Sequence, residues 1–368
     1  MSAAPDLAAP AFDQAMMRRC LELAQQARGH TAPNPMVGAV VVQQGEVVGE
    51  GFHPKAGEPH AEVFALRAAG DRAMGATVYV NLEPCNHYGR TPPCSEALVA
   101  AGVARVVVGM VDPNPKVAGG GIARLRAAGI AVEVGIEATA CQQLNEAFVY
   151  RILHRQPLGI LKYAMTLDGK IAATSGHSAW VTTPAARQVV HHVRAGVDAV
   201  IVGGNTVRRD NPLLTSHGAG HNPLRVVLSR HLELPLEAQL WDTAQVPTLV
   251  FTQADANLAM QTALSQRGVT VVSLPELTPA GAIAHLYHQG CLSVLWECGG
   301  ALSARAIADG TVQKVMAFIA PKIIGGAIAP SPVGDLGLTQ MTQALPLERV
   351  SWRSVGADLL VEGYFAAP

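Results

Sequence analysis

The chain has 368 residues, 49% of them apolar, with a formal net charge of −1 and 24 prolines and 36 glycines scattered along it. This length and composition predict two globular domains, each able to bury its own core, and exclude a low-complexity or disordered chain. The near-neutral balance excludes a global basic field for polynucleotide phosphates, so the expected partner is a small molecule and not a nucleic acid.

No apolar run approaches the roughly 18 residues of a membrane-spanning helix, and residues 1–10 lack the pattern of a secretory signal. The expectation is a cytosolic (cytoplasmic) protein without membrane attachment. Six cysteines in such a chain point to buried thiols and metal ligands before disulfides. Cys85 and Cys94 are the metal candidates, while Cys20, Cys141, Cys291 and Cys298 read as small buried hydrophobes.

Asp13 is placed to cap a helix carrying Met16, Cys20, Leu23 and Ala27 on one face, with its stop near Gly29. Residues 37–42 and 46–50, separated by Gln43-Gln44-Gly45, predict a β-hairpin. A helix over 60–69, a strand over 76–82, a helix over 94–101, a strand over 104–108, a helix over 122–128 and a strand over 130–134 follow. The alternation indicates helices packed on a sheet. A closing helix over 142–154 and the linker Arg155-Gln156-Pro157 put the boundary near residue 157, giving domains 1–156 and 157–368. The second half repeats the α/β pattern. It has a strand over 158–164, a helix over 184–195, a strand over 199–202, and further strands over 224–228, 248–251, 270–272, 293–296 and 315–319.

Pro59-His60-Ala61-Glu62 is followed by Pro84-Cys85 and Pro93-Cys94. One imidazole and two thiolates can bind zinc and leave one tetrahedral position for water. Glu62 has the chemistry to move that water's protons, as in the zinc deaminases, so the set points to hydrolytic deamination. A closed zinc knuckle using His53 or His87 is the rival reading, but it leaves Glu62 without a role.

Thr31-Ala32-Pro33-Asn34-Pro35-Met36-Val37-Gly38, Gly57 to Val63 and Leu82 to Cys94 resemble the deaminase half of the bifunctional riboflavin-biosynthesis deaminase/reductases. The eight residues between the cysteines fit that family, whereas cytidine and transfer-RNA deaminases typically have two. The resemblance implies substrate contacts from Asn34, His53, His87 and Arg90, with Asp112 and Asn114 near the ribose phosphate. Asn34 between two prolines, His53 at a strand end and Asp112 in a turn also have ordinary structural readings.

The resemblance continues through Lys162 to Lys170, Ser178-Ala179-Trp180, Gly204 to Pro212, Glu297-Cys298-Gly299-Gly300 and Ala320-Pro321-Lys322, which look like the reductase half. It implies two α/β domains, a cytidine-deaminase-like α/β/α sandwich followed by a dihydrofolate-reductase-like domain. It further implies one Zn2+ per chain, NADPH, and a homo-oligomer, specifically a dimer. Ala164, Trp180, Thr206, Asp210 and the turn Gly299, Gly300, Ala301, Leu302, Ser303, Ala304 and Arg305 match cofactor positions. Ser178, Arg194, Leu214 and Glu297 match substrate positions. Lys162, Asp210 and Glu297 are the groups able to handle a proton.

Two departures stand out. Where the family offers an arginine for substrate phosphate, this chain has Ser216-His217, leaving His217 as the candidate. Where the family tends to have Asp-Ser after the strand over 224–228, it has Ser229-Arg230, and Arg230 is expected to meet the 2′-phosphate of NADPH.

Overall fold

In the computed structural model, which describes residues 9–88 and 92–366, the chain divides into two units, Met1–Arg155 and Gln156–Pro368. The first unit runs α1 (Ala9–Gln25), β1 (Gly38–Gln43), β2 (Glu46–Phe52), α2 (Ala61–Ala69), β3 (Thr77–Val80), α3 (Cys94–Ala100), β4 (Arg105–Val108), α4 (Gly120–Ala127), β5 (Ala131–Val134), α5 (Ala138–Leu144) and α6 (Glu146–His154). Its sheet has the order β2-β1-β3-β4-β5. β1 is antiparallel to β2 and β3, and the β3–β4 and β4–β5 pairs are parallel.

Helices α2, α3 and α4 bury Ala61, Ala65, Leu98 and Leu125 against Val41, Val78, Val80 and Val106 of the sheet. Helix α1 packs on β1 and β3 and against α5, which makes the unit an α/β/α sandwich. Glycine permits the closest approach. A Cβ at Gly51 on β2 would lie 2.5 Å from Phe64 Cβ and 2.7 Å from Ala61 O of α2.

Two expectations are corrected. Asp13 lies inside α1 and caps nothing there. Its carboxylate, 6% exposed, accepts from Tyr79 Oη at 2.6 Å and from Arg105 at 2.7 and 3.0 Å, because a buried acid needs strong donors more than the helix end needs a cap. The closing helix is two helices, broken at Asn145 (φ −103°). The Asn145 side chain accepts from Met36 N–H at 2.8 Å and donates to Met36 O at 2.9 Å, which ties the loop before β1.

The second unit comprises β6 (Leu158–Thr166), α7 (Pro184–Ala195), β7 (Ala199–Gly203), α8 (Gly204–Asp210), β8 (Leu224–Leu228), β9 (Thr248–Gln253), α9 (Leu258–Gln266), β10 (Thr270–Leu274), α10 (Pro279–His288), β11 (Ser293–Trp296), α11 (Gly300–Ala308), β12 (Lys314–Ala320), β13 (Leu347–Val355) and β14 (Asp358–Phe365). Its nine strands are ordered β10-β9-β8-β7-β11-β6-β12-β14-β13. All neighbours are parallel except at the β12–β14 and β14–β13 pairs.

Successive residues such as Ile160 and Leu161, or Val200 and Ile201, enter different cores, as the two-residue period of a strand requires. Helices α7 and α9 cover one core, and α10 and α11 the other. Helices α7, α9 and α10 are N-capped by Thr183, Asn257 and Thr278. No helix among the described residues is long and apolar enough to cross a membrane.

Candidate active sites

In the first unit, His60 is the N-cap of α2, Cys94 is the first residue of α3, and Cys85 lies in the loop after β3. His60 Nδ1 lies 3.2 Å from Cys94 Sγ and 3.5 Å from Cys85 Sγ. Those are the spacings of ligands around a tetrahedral ion with bonds of about 2.0–2.3 Å. A hydrogen bond from the Cys94 thiol, aided by His60, pulls the Cys85 thiol down to about 4 against the effect of burial. Sharing with Cys85, together with burial, pushes Cys94 up. One imidazole nitrogen and two cysteine sulfurs at these spacings make a donor set that fits zinc.

Glu62, in the first turn of α2, is 3% exposed, and burial pushes its carboxyl up. His53 Nδ1 meets Pro59 O at 3.0 Å and its Nε2 meets Asn34 Nδ2 at 3.0 Å. Because a carbonyl only accepts, Nδ1 carries the hydrogen and Nε2 accepts from Asn34. Desolvation lowers the His53 pKa, consistent with this neutral form. The rings of His53 and His60 meet edge to face, with centroids 5.4 Å apart. Asp112 is partly buried, and its Oδ1 accepts from Asn114 N–H at 2.8 Å. His87 is exposed, and Arg90 lies outside the described residues.

Sequence reasoning missed Glu83. Its carboxylate, 5% exposed, accepts from the N–H groups of Asp112, Gly119, Gly121 and Ile122 at 2.9 to 3.3 Å. It thereby fixes the loop bearing Asp112 and Asn114 to the start of α4. Only glycine fits at 121, where a Cβ would lie 2.0 Å from Pro84 O. An acid directly before Pro84-Cys85 was the available signal.

In the second unit a cavity of about 860 Å³ opens at the carboxyl ends of β6, β7, β8 and β11, the usual ligand position of such sheets. It gathers Lys162, Ala164, Ser178, Trp180, Arg194, Thr206, Asp210, Leu214, Arg230, Glu297, Gly299, Gly300, Ala301, Leu302 and Arg305 from the expected set. Ser303 and Ala304 turn inward instead, 0% and 6% exposed. Ser303 Oγ donates to Cys298 O at 3.3 Å. His217 is absent from the lining and stacks on His191, centroids 4.3 Å apart. Arg187, Arg209 and His231 also line the cavity and were not anticipated.

Arg194 commits Nε and NH2 to Glu297 at 2.6 and 3.0 Å and NH1 to Thr215 O at 3.0 Å. Lys162 Nζ stands 3.5 Å from the same carboxylate. Burial disfavours the charge on Glu297, but Arg194 and Lys162 overcome it and hold the group at about 2. Asp210 accepts from Ser178 Oγ at 3.2 Å.

Two family models match the chain. The cytidine and deoxycytidylate deaminase zinc-binding region covers residues 10–110, and the RibD C-terminal domain covers residues 157–361. Riboflavin biosynthesis protein RibD of Synechocystis sp. is 63% identical over 353 residues, spanning 96% of each chain. The protein of that name from Aquifex aeolicus is 40% identical, over 95% of this chain and 98% of its own. Acinetobacter baumannii RibD has a similar structure, with a TM-score of 0.87 and 38% identity over 97% of this chain and all of that one. So does a diaminohydroxyphosphoribosylaminopyrimidine deaminase/5-amino-6-(5-phosphoribosylamino)uracil reductase of Thermotoga maritima, with a TM-score of 0.85 and 34% identity over 97% of this chain and 99% of that one. The chain belongs to the RibD family, bifunctional enzymes of riboflavin biosynthesis that join a zinc-binding deaminase to a reductase.

Proposed function

We propose that the first unit deaminates 2,5-diamino-6-(5-phosphoribosylamino)pyrimidin-4(3H)-one by hydrolysis, and that the second uses NADPH to reduce the ribosyl group of 5-amino-6-(5-phosphoribosylamino)uracil to ribityl. The observation that carries the reading is the buried Glu62 carboxylate beside the three-ligand set of His60, Cys85 and Cys94.

Zinc held by these residues supplies a Lewis acid and an acidified water at neutral pH. Glu62 takes the proton from the attacking water and returns it to the departing amine, in a place from which bulk water is excluded. Asn34 and, through its ring hydrogen bond, His53 fix one edge of the pyrimidine. His87, Arg90, Asp112 and Asn114 hold the remainder of the ribotide.

In the second unit, reduced nicotinamide supplies hydride. Ala164, Trp180, Thr206, Asp210, Arg230 and the turn from Gly299 to Arg305 hold the dinucleotide, with Arg230 taking the 2′-phosphate. Ser178, Arg194, Leu214 and Glu297 face the ribotide. A Glu297 carboxylate held near 2 is ionised at neutral pH, so it orients Lys162 and does not itself deliver a proton. Lys162 is the proton donor of choice, with Asp210 the second candidate. The active form is a cytosolic homodimer, which light scattering of the purified protein would read as two chains.

The test supplies the diaminopyrimidine ribotide with and without NADPH and follows ammonia and the nicotinamide absorbance band. Ammonia is expected in both arms and nicotinamide oxidation only with NADPH. Product in neither arm overturns the proposal.

A further inference from the structure

Trp180 lines the reductase cavity with 70% of its surface exposed, at φ +64°. Side chains of this size rarely adopt that region, and the conformation persists only where its surroundings impose it. Here the imposing groups are visible. Lys322 Nζ donates to Trp180 O at 2.7 Å and to Val181 O at 3.0 Å. Arg187 NH1 donates to Thr182 O at 2.9 Å, and its guanidinium carbon lies 4.4 Å from the indole centroid. Thr183 N–H and Oγ1 donate to Asp358 at 2.7 and 2.6 Å. Four consecutive residues are thus held by side chains from three other places in the chain.

Lys322 has the firmest footing of these. It follows β12, its carbonyl accepts from Leu167 N–H at 2.8 Å, and the turn beyond it is fixed by Asp168, which accepts from Ile324 and Gly325 N–H. Its ammonium serves two main-chain carbonyls, a charge-assisted arrangement suited to pinning a loop.

We propose that Lys322 is a positioning residue of the reductase. It holds the Trp180 indole, face-on to Arg187, as a preformed wall for a planar ring of the dinucleotide. This deepens the reading of the cavity as the reductase site and rests on it. Preformation of the wall removes the ordering cost a ligand would otherwise bear. Loss of Lys322 therefore weakens binding and leaves the chemical step largely untouched.

The experiment uses full-length protein carrying Trp352→Phe. Of the four tryptophans, Trp241 and Trp296 are then 3% and 0% exposed, so quencher-accessible emission reports Trp180. Without ligand, Lys322→Met is expected to lower the anisotropy of that emission, and Lys322→Arg to restore it. Adding Trp180→Phe should abolish the difference. In turnover, Lys322→Met is expected to raise one KM by about fivefold while kcat stays within about twofold. That KM is expected to be the one for NADPH, and a rise confined to the ribotide overturns the assignment of the wall to the dinucleotide. Unchanged anisotropy in Lys322→Met overturns the proposal. Absence of NADPH oxidation in the parent protein would instead overturn the reading of the cavity, while the ligand-free anisotropy still decides the role of Lys322.

Discussion

Arg194 grips Glu297 through two parallel hydrogen bonds, at 2.6 and 3.0 Å, across 103 residues of sequence. The side chains are 12% and 10% exposed, so the pair is shielded from solvent screening. Replacing Glu297 by Gln keeps the shape and removes the charge, leaving Arg194 and Lys162 without their counter-ion. The expected loss is about 3 kcal/mol in the second unit. NADPH oxidation should fall with it while ammonia release is unchanged. Denaturant titration followed by tryptophan emission, with both assays, checks this outcome.

The same carboxylate sets a pH dependence. Its folded value of about 2 lies below the ordinary 4.5. Its stabilisation is therefore complete above about pH 5 and fades as pH falls through 4.5 toward 2, because the unfolded chain takes up the proton first. Between pH 5 and 3 the parent should lose about 2 kcal/mol more than Glu297→Gln. Equal acid sensitivity of the two proteins would contradict the assigned charge state.

Glu62→Gln should retain one zinc per chain yet lower ammonia release by about 10³-fold, since the amide cannot shuttle a proton. Reduction of separately supplied deaminated ribotide should persist. Metal analysis of the purified variant, run beside both assays, separates loss of proton transfer from loss of the ion.

Glu83→Gln puts an NH2 group against a cluster of main-chain donors that now share four contacts with one carboxylate. About 2–3 kcal/mol of destabilisation follows from stranding buried donors. The loop of Asp112 and Asn114 should loosen, raising the deaminase KM more than it lowers kcat. Steady-state kinetics with thermal melts would show it, and a selective fall in kcat would argue against this role.

Arg230 lines the cavity while its carbonyl accepts from Thr252 Oγ1 at 3.0 Å and Gln253 N–H at 3.3 Å, so its backbone is anchored. Arg230→Ala should raise the KM for NADPH about tenfold and leave that for NADH unchanged. An unaltered preference between the two nucleotides would remove the 2′-phosphate assignment.

Much of this architecture is legible in the sequence wherever burial and local chemistry agree. The apolar runs of β8 and β11 and the helical pattern over 184–195 mark those elements and α7 at their observed bounds. The His60, Cys85 and Cys94 set is equally legible, because ligand chemistry restricts residue type and spacing. Strands β13 and β14 escape notice for the opposite reason. β13 is an edge strand, exposed along most of its length and interrupted by Glu348, Arg349 and Arg353, so it carries little hydrophobic alternation. Asp13 and Asn145 mislead because each has a local use, at a cap or within a helix, that a distant partner supersedes. Lys322 and the stacking of His217 on His191 depend on chain segments meeting in space, for which no short window holds a signal.

The hydrogen bond from His53 to the Pro59 carbonyl reaches beyond the two groups that make it. By fixing which imidazole nitrogen carries hydrogen, it fixes which end of the Asn34 amide turns toward His53, leaving Oδ1 as the half available to a ligand. A main-chain carbonyl two hydrogen bonds away thus sets the polarity that Asn34 presents, an acceptor that complements an N–H donor.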